Sequence, residues 1–154
     1  MSLRFWFPAL MGLSLAIQTG AAQPGSKAQL LGGVIPGCAP KSPIGIDLAS
    51  PETLSINCRG KVFQIPYRRI DLLEYGQNVS RRYAAAVMLS PVLLLSKERK
   101  HYVTLGYQDA DGHQQVLVMR VDKGDIRAVL SGLEARTGRR VEFQDEQARA
   151  SGNG

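Results

Sequence analysis

The 154-residue chain carries 19 basic and 13 acidic residues, a formal charge of +6, and two cysteines. That length suits one domain with a real core, and the charge favours anionic partners such as lipid headgroups, phosphates or acidic proteins. The sequence has no Cys-x-x-Cys or Cys/His spacing, no Gly-x-Ser-x-Gly elbow and no phosphate-loop frame, so no metal site, cofactor or catalytic constellation is expected.

The first residues read as a secretion signal. Arg4 precedes an uncharged run from Phe5 to Ile17, and Thr19, Gly20, Ala21 and Ala22 supply the small residues that signal peptidase needs. Cleavage after Ala22 is expected, giving residues 1–22 as the signal. The apolar run is shorter than the roughly 20 residues a membrane-spanning helix requires. Export is therefore favoured over an uncleaved anchor or a buried first helix, with a periplasmic or extracellular destination. An exported chain is not expected to meet nucleic acid.

Residues 23–51 contain Pro24, Gly25, Gly32, Gly33, Pro36, Gly37, Pro40, Pro43, Gly45 and Pro51. This density forbids long helices and predicts a loose leader, ordered only where something pins it. Cys38 is the obvious pin. In an oxidising compartment Cys38 and Cys58 read as one disulfide, the alternative being two buried free thiols.

A single domain is expected over residues 52–144. Thr53 to Asn57 alternates with Leu54 and Ile56 on one face, Arg59 and Gly60 make a tight connection, and Lys61 to Ile65 returns, which predicts a hairpin with Cys58 at its end. After Pro66, Arg69 to Tyr75 is a further strand candidate; its Asp71 and Glu74 are expected to form surface ion pairs. A second hairpin runs from Tyr102 to Tyr107 and returns through Val116 to Val121, turning at Asp109 to Gly112. Asp109, Asp111 and Gly112 resemble part of a calcium loop, but that frame places Tyr107 and Val118 at ligand positions, so they are read as turn residues. His101 and His113, at the two ends of this hairpin, lack partners at ligand spacing and are read as ordinary surface or edge residues.

A helix is predicted next. Asp122 is positioned to cap it, Asp125 favours its positive end, and Ile126, Val129, Leu130 and Leu133 share one face, with Gly138 as a left-handed stop. Val141 to Phe143 forms a last short strand candidate. The polar, Gly-rich residues 145–154 are expected to be a disordered tail.

Tyr83 to Leu95 asks for a functional reading. It holds no charge, follows Arg81 and Arg82, and precedes Lys97, Arg99 and Lys100. The middle third, Arg59 to Lys100, carries nine cations against three anions and so holds the whole charge excess. Pro91 breaks any helix through the run. Three readings stand: a core segment with a short helix at Tyr83 to Leu89 and a strand at Val92 to Ser96; a loop inserted shallowly into a membrane with the flanking cations on anionic headgroups; or an apolar patch for a protein partner.

The segment Ile65 to Gln77, IPYRRIDLLEYGQ, and the strand, turn, strand and helix from His101 to Thr137 resemble the pleckstrin-homology-like barrel with its GRAM and bacterial relatives, and are similar in style to exported bacterial proteins. The resemblance implies a small partly open barrel or sandwich, mainly β, of about six short strands capped by one amphipathic helix. The function expected is non-enzymatic binding or scaffolding outside the cytoplasm, with Arg81, Arg82, Lys97, Arg99 and Lys100 contacting a membrane surface or an acidic protein partner. A structural protein-interaction module is the alternative, and an enzyme of unrecognised type is the weakest reading.

Overall fold

The computed structural model describes residues 25–77, 100–144 and 146–153. The expected signal and the Tyr83 to Leu95 run lie outside the described residues, as do Arg81, Arg82, Lys97 and Arg99. Eight strands form one sheet: β1 (Ser26–Gly32), β2 (Pro43–Asp47), β3 (Thr53–Cys58), β4 (Lys61–Pro66), β5 (Ile70–Gly76), β6 (His101–Gln108), β7 (Gln114–Val121) and β8 (Glu142–Phe143). A 3-10 turn, Tyr67–Arg69, joins β4 to β5, and the helices are α1 (Ile126–Thr137) and α2 (Glu146–Asn153). The strand order is β4-β3-β2-β1-β7-β6-β5-β8. All neighbours are antiparallel except β8, which runs parallel to β5. The class is therefore mainly β with helical additions, as expected, with eight strands rather than six.

The two additional strands, β1 and β2, come from the segment expected to be a loose leader. Its prolines sit where a strand tolerates them, Pro43 at the first residue of β2 and Pro36 and Pro40 in the β1–β2 loop. Between them, Leu30, Ile44 and Ile46 are fully or nearly fully buried. Burying those side chains against β3 and β7 outweighs the weak local strand signal. Cys38 and Cys58 are joined in a disulfide, fastening the β1–β2 loop to the end of β3.

The β3–β4 hairpin forms as expected, with Arg59 and Gly60 both left-handed in a two-residue turn. Leu54, Ile56 and Ile65 point into the core, whereas Val62 faces outward. The sheet curls, since the ring of Phe63 on β4 meets Tyr107 on β6 edge-on with centroids 6.4 Å apart. Gly106 is required on β6: a Cβ there would lie 2.8 Å from both Leu72 Cβ and Asp71 Oδ1. In the space it leaves, the Gln114 amide donates to Asp71 Oδ1 at 3.0 Å across the intervening strand.

Helix α1 lays Ile126, Val129, Leu130 and Leu133 on the same core. Gly138, at φ 69°, stops it by donating its N–H to the Glu134 carbonyl. Its N-terminal boundary differs from the expected one. Asp125 is the flanking residue and Asp122 accepts through its backbone carbonyl, while the Asp125 carboxylate accepts from the Lys27 N–H at 2.7 Å and so ties the helix to β1. The expected tail also differs, since it carries α2 with Ala148 fully buried in the core.

The sheet is buried on both faces along β6. Val103, Leu105 and Tyr107 face the core; Tyr102 and Thr104, on the opposite face by the two-residue period, are also buried, as is Val118 opposite Thr104. Glu74 is buried as well and accepts from the Gln144 amide at 2.8 Å. The expectation that it lies in a surface ion pair is thus corrected: β8 and the residue after it cover this part of β5.

Candidate functional site

Where the chain enters β6, four side chains able to carry positive charge gather around a cleft of about 310 Å³. Lys100 and His101 come from the start of β6, Arg120 from the end of β7, and Lys123 from the β7–α1 loop, with Val121 forming part of the wall and Asp122 the acidic side chain among the lining residues. The antiparallel register produces the gathering. His101 pairs with Val121 and Tyr102 with Arg120, so residues distant in sequence meet at one strand end. Asp122 is held there by its N–H, which donates to the Lys27 carbonyl at 3.1 Å. Lys100 is the member of the expected basic cluster that falls within the described residues, and the structure sets it beside Arg120 and Lys123. Sequence reasoning missed those two because their proximity depends on strand pairing rather than on local charge.

His101 is half-buried. The Tyr75 hydroxyl lies 2.6 Å from its Nδ1, and the two rings stack with centroids 6.0 Å apart. Phe143 of β8 packs edge-on against the far side of Tyr75. Burial pushes the His101 pKa below its ordinary value, and the nearby Lys123 ammonium pushes it the same way. His101, expected to be an ordinary surface or edge residue, stands at the first position of β6, half-buried against Tyr75. Its partner lies on the neighbouring strand, brought there by the β5–β6 register.

A second, larger cavity of about 550 Å³ lies between α1 and the exit of β2, lined by Asp47, Leu48, Ala128, Gly132 and Arg136 among others. The Tyr67 hydroxyl is buried without a hydrogen-bond partner among the described residues. Its pKa is raised, chiefly by burial, with Arg136 opposing and Asp47 adding to the effect. One carboxylate and one guanidinium on a wall of small residues define no charge preference. No protein-family model and no curated protein matches the chain.

At the far end of the β6–β7 hairpin, ligand atoms of Asp109, Asp111 and His113 lie within 4.8 Å of one another. The Asp109 carboxylate is engaged in the turn itself: Oδ1 accepts from the N–H groups of Asp111 and His113, and Oδ2 from the Gln115 amide. These hydrogen bonds lower the Asp109 pKa, the one from His113 most. Among the described residues, no helix is long and apolar enough to cross a membrane.

What the β6 cleft can do chemically is hold an anion. Lysine and arginine supply only donors, a guanidinium matches a phosphate oxygen pair, and among the described lining residues three basic side chains stand against one carboxylate.

Proposed function

We propose that this chain is an exported, non-enzymatic binding domain of pleckstrin-homology-like type that contacts an anionic membrane surface through the β6 cleft. The reading is carried by the convergence of Lys100, Arg120 and Lys123 on one opening. Lys100 closes the Arg59 to Lys100 stretch of the sequence, which carries nine cations against three anions. The Cys38–Cys58 bond supports an oxidising compartment. An antiparallel meander in the order β4-β3-β2-β1-β7-β6-β5, followed by one helix, supports the family resemblance. A cation near an anionic surface contributes about 1 kcal/mol, so the three together account for about two decades of affinity.

Flotation with vesicles tests this. The protein is expected to float with phosphatidylglycerol-containing vesicles at low salt and to be released as salt rises, while pure phosphatidylcholine leaves it in the pellet. Changing Lys100, Arg120 and Lys123 together to Gln is expected to weaken binding by about 100-fold. Equal, salt-insensitive failure on both vesicle types sinks the membrane reading; retention on an acidic protein column by the same protein would then favour an acidic partner.

A further inference from the structure

Within the cleft, His101 differs from its neighbours. It is the imidazole among lysine and arginine side chains that line the opening, and an imidazole is the side chain whose charge ordinarily changes within the physiological range. The ring is also held in one place, stacked on Tyr75 with its Nδ1 2.6 Å from the phenol oxygen. We infer that His101 couples the cleft to protons: gaining a proton raises its cationic members from three to four, so that an anionic lipid surface is held more tightly in acidic than in neutral surroundings. This rests on the membrane reading above and adds its regulation.

The hydrogen bond survives the change. When the imidazole is neutral with Nδ1 as acceptor, the Tyr75 O–H donates to it; when the ring is protonated, Nδ1–H donates and the phenol oxygen accepts. The switch therefore changes charge without breaking the contact that positions the ring. The cleft around His101 is lined by Lys100 just ahead of β6, Arg120 from β7, and Asp122 and Lys123 from the loop that follows, and Tyr75 from β5 contacts the ring; Arg120 pairs with Tyr102 and so leaves the sheet on the face opposite His101. Burial opposes a proton on His101 and the Lys123 ammonium opposes it further, so in the cleft as it stands the ring's pKa lies below its ordinary value. An anion in the cleft reverses this balance. By linkage, whatever an anion does to the proton affinity of His101, a proton on His101 does to the anion affinity.

The probe is a vesicle of phosphatidylglycerol in phosphatidylcholine, whose phosphodiester charge does not titrate between pH 5 and 8. Wild-type affinity is expected to rise by about five-fold across that range as pH falls, the effect of one added charge at the surface. His101→Gln, which keeps an amide able to bond the Tyr75 hydroxyl, is expected to show no rise across that range, each affinity being compared with the variant's own value at pH 8. In a parallel NMR titration, saturating vesicles are expected to move the His101 midpoint upward. Free glycerophosphoglycerol, the headgroup phosphodiester without acyl chains, in place of vesicles distinguishes the sources: an equal upward shift there assigns the proton coupling to a free phosphodiester and overturns the membrane-specific form. A flat wild-type profile with intact salt-sensitive binding overturns the coupling and leaves the membrane reading standing. A pH rise retained in His101→Gln also overturns it, assigning the effect to another group. Absence of wild-type binding at every pH overturns both.

Discussion

Reducing the Cys38–Cys58 bond isolates the contribution of one cross-link to this fold. The bond joins residues 20 apart in sequence, and the closed loop contains β2 and β3 entire. For a loop of that length, the lost freedom of the unfolded chain corresponds to about 3 kcal/mol. A domain of this size is stable by about 5–15 kcal/mol, so the reduced protein should still fold, with a clearly lowered margin. At an m value of about 1.5 kcal/mol per molar urea, the midpoint is expected to fall by about 2 M. Urea titrations followed by near-UV circular dichroism, with and without reductant, measure this directly. Replacing both cysteines with Ala should lower stability by about 1 kcal/mol more, because Cys58 is buried and losing its sulfur leaves a small void. A reduced midpoint within about 0.3 M of the oxidised one would refute the loop argument, since the β2–β3 pairing alone would then define the unfolded-chain restriction.

The Pro/Gly-rich segment supports two further expectations. Leu30→Ala, at a fully buried position of β1, should cost about 3 kcal/mol in chemical denaturation, whereas Val34→Ala, at an exposed position in the loop after it, should leave the midpoint unchanged. Stability should also depend on pH at both extremes. Tyr67 and Tyr107 have pKa values raised mainly by burial, so the stability their neutral forms contribute is complete below the ordinary tyrosine value and is lost as pH rises through their folded values. The lowered pKa of His101 works on the acid side: the unfolded chain takes up the proton first, and stability falls as pH drops below about 6.5 towards the folded value. Thermal unfolding across pH 4 to 11, compared with His101→Gln, checks both directions; an acid limb identical in the variant would contradict the histidine part.

Elements whose contacts are local were legible in the sequence. The β3–β4 and β6–β7 hairpins each pair residues close in sequence, and their alternation and turn residues announce them. The α1 face and its Gly138 stop were equally plain. What could not be read depends on distant partners. β1 takes its place because β7 lies beside it, and its glycines and prolines conceal a buried Leu30, Ile44 and Ile46 pattern continuing into β2. The last residues, with Ser151, Gly152 and Asn153 as weak helix formers, form α2 where Ala148 finds a buried seat. The site behaves likewise: Lys100 was visible as part of a charge cluster, whereas Arg120, Lys123 and the Tyr75 contact to His101 exist through register alone.

The β1–β7 seam sets the order in which such a chain can be completed. Residues Ser26 to Pro66 can form four strands by neighbour pairing, and Ile70 to Val121 three more, but the two groups join where Ala28 meets Val121. Until β7 has been made, β1 has an open edge. That late, long-range closure should slow folding relative to the hairpins, because loop entropy is lost before the contacts that offset it form.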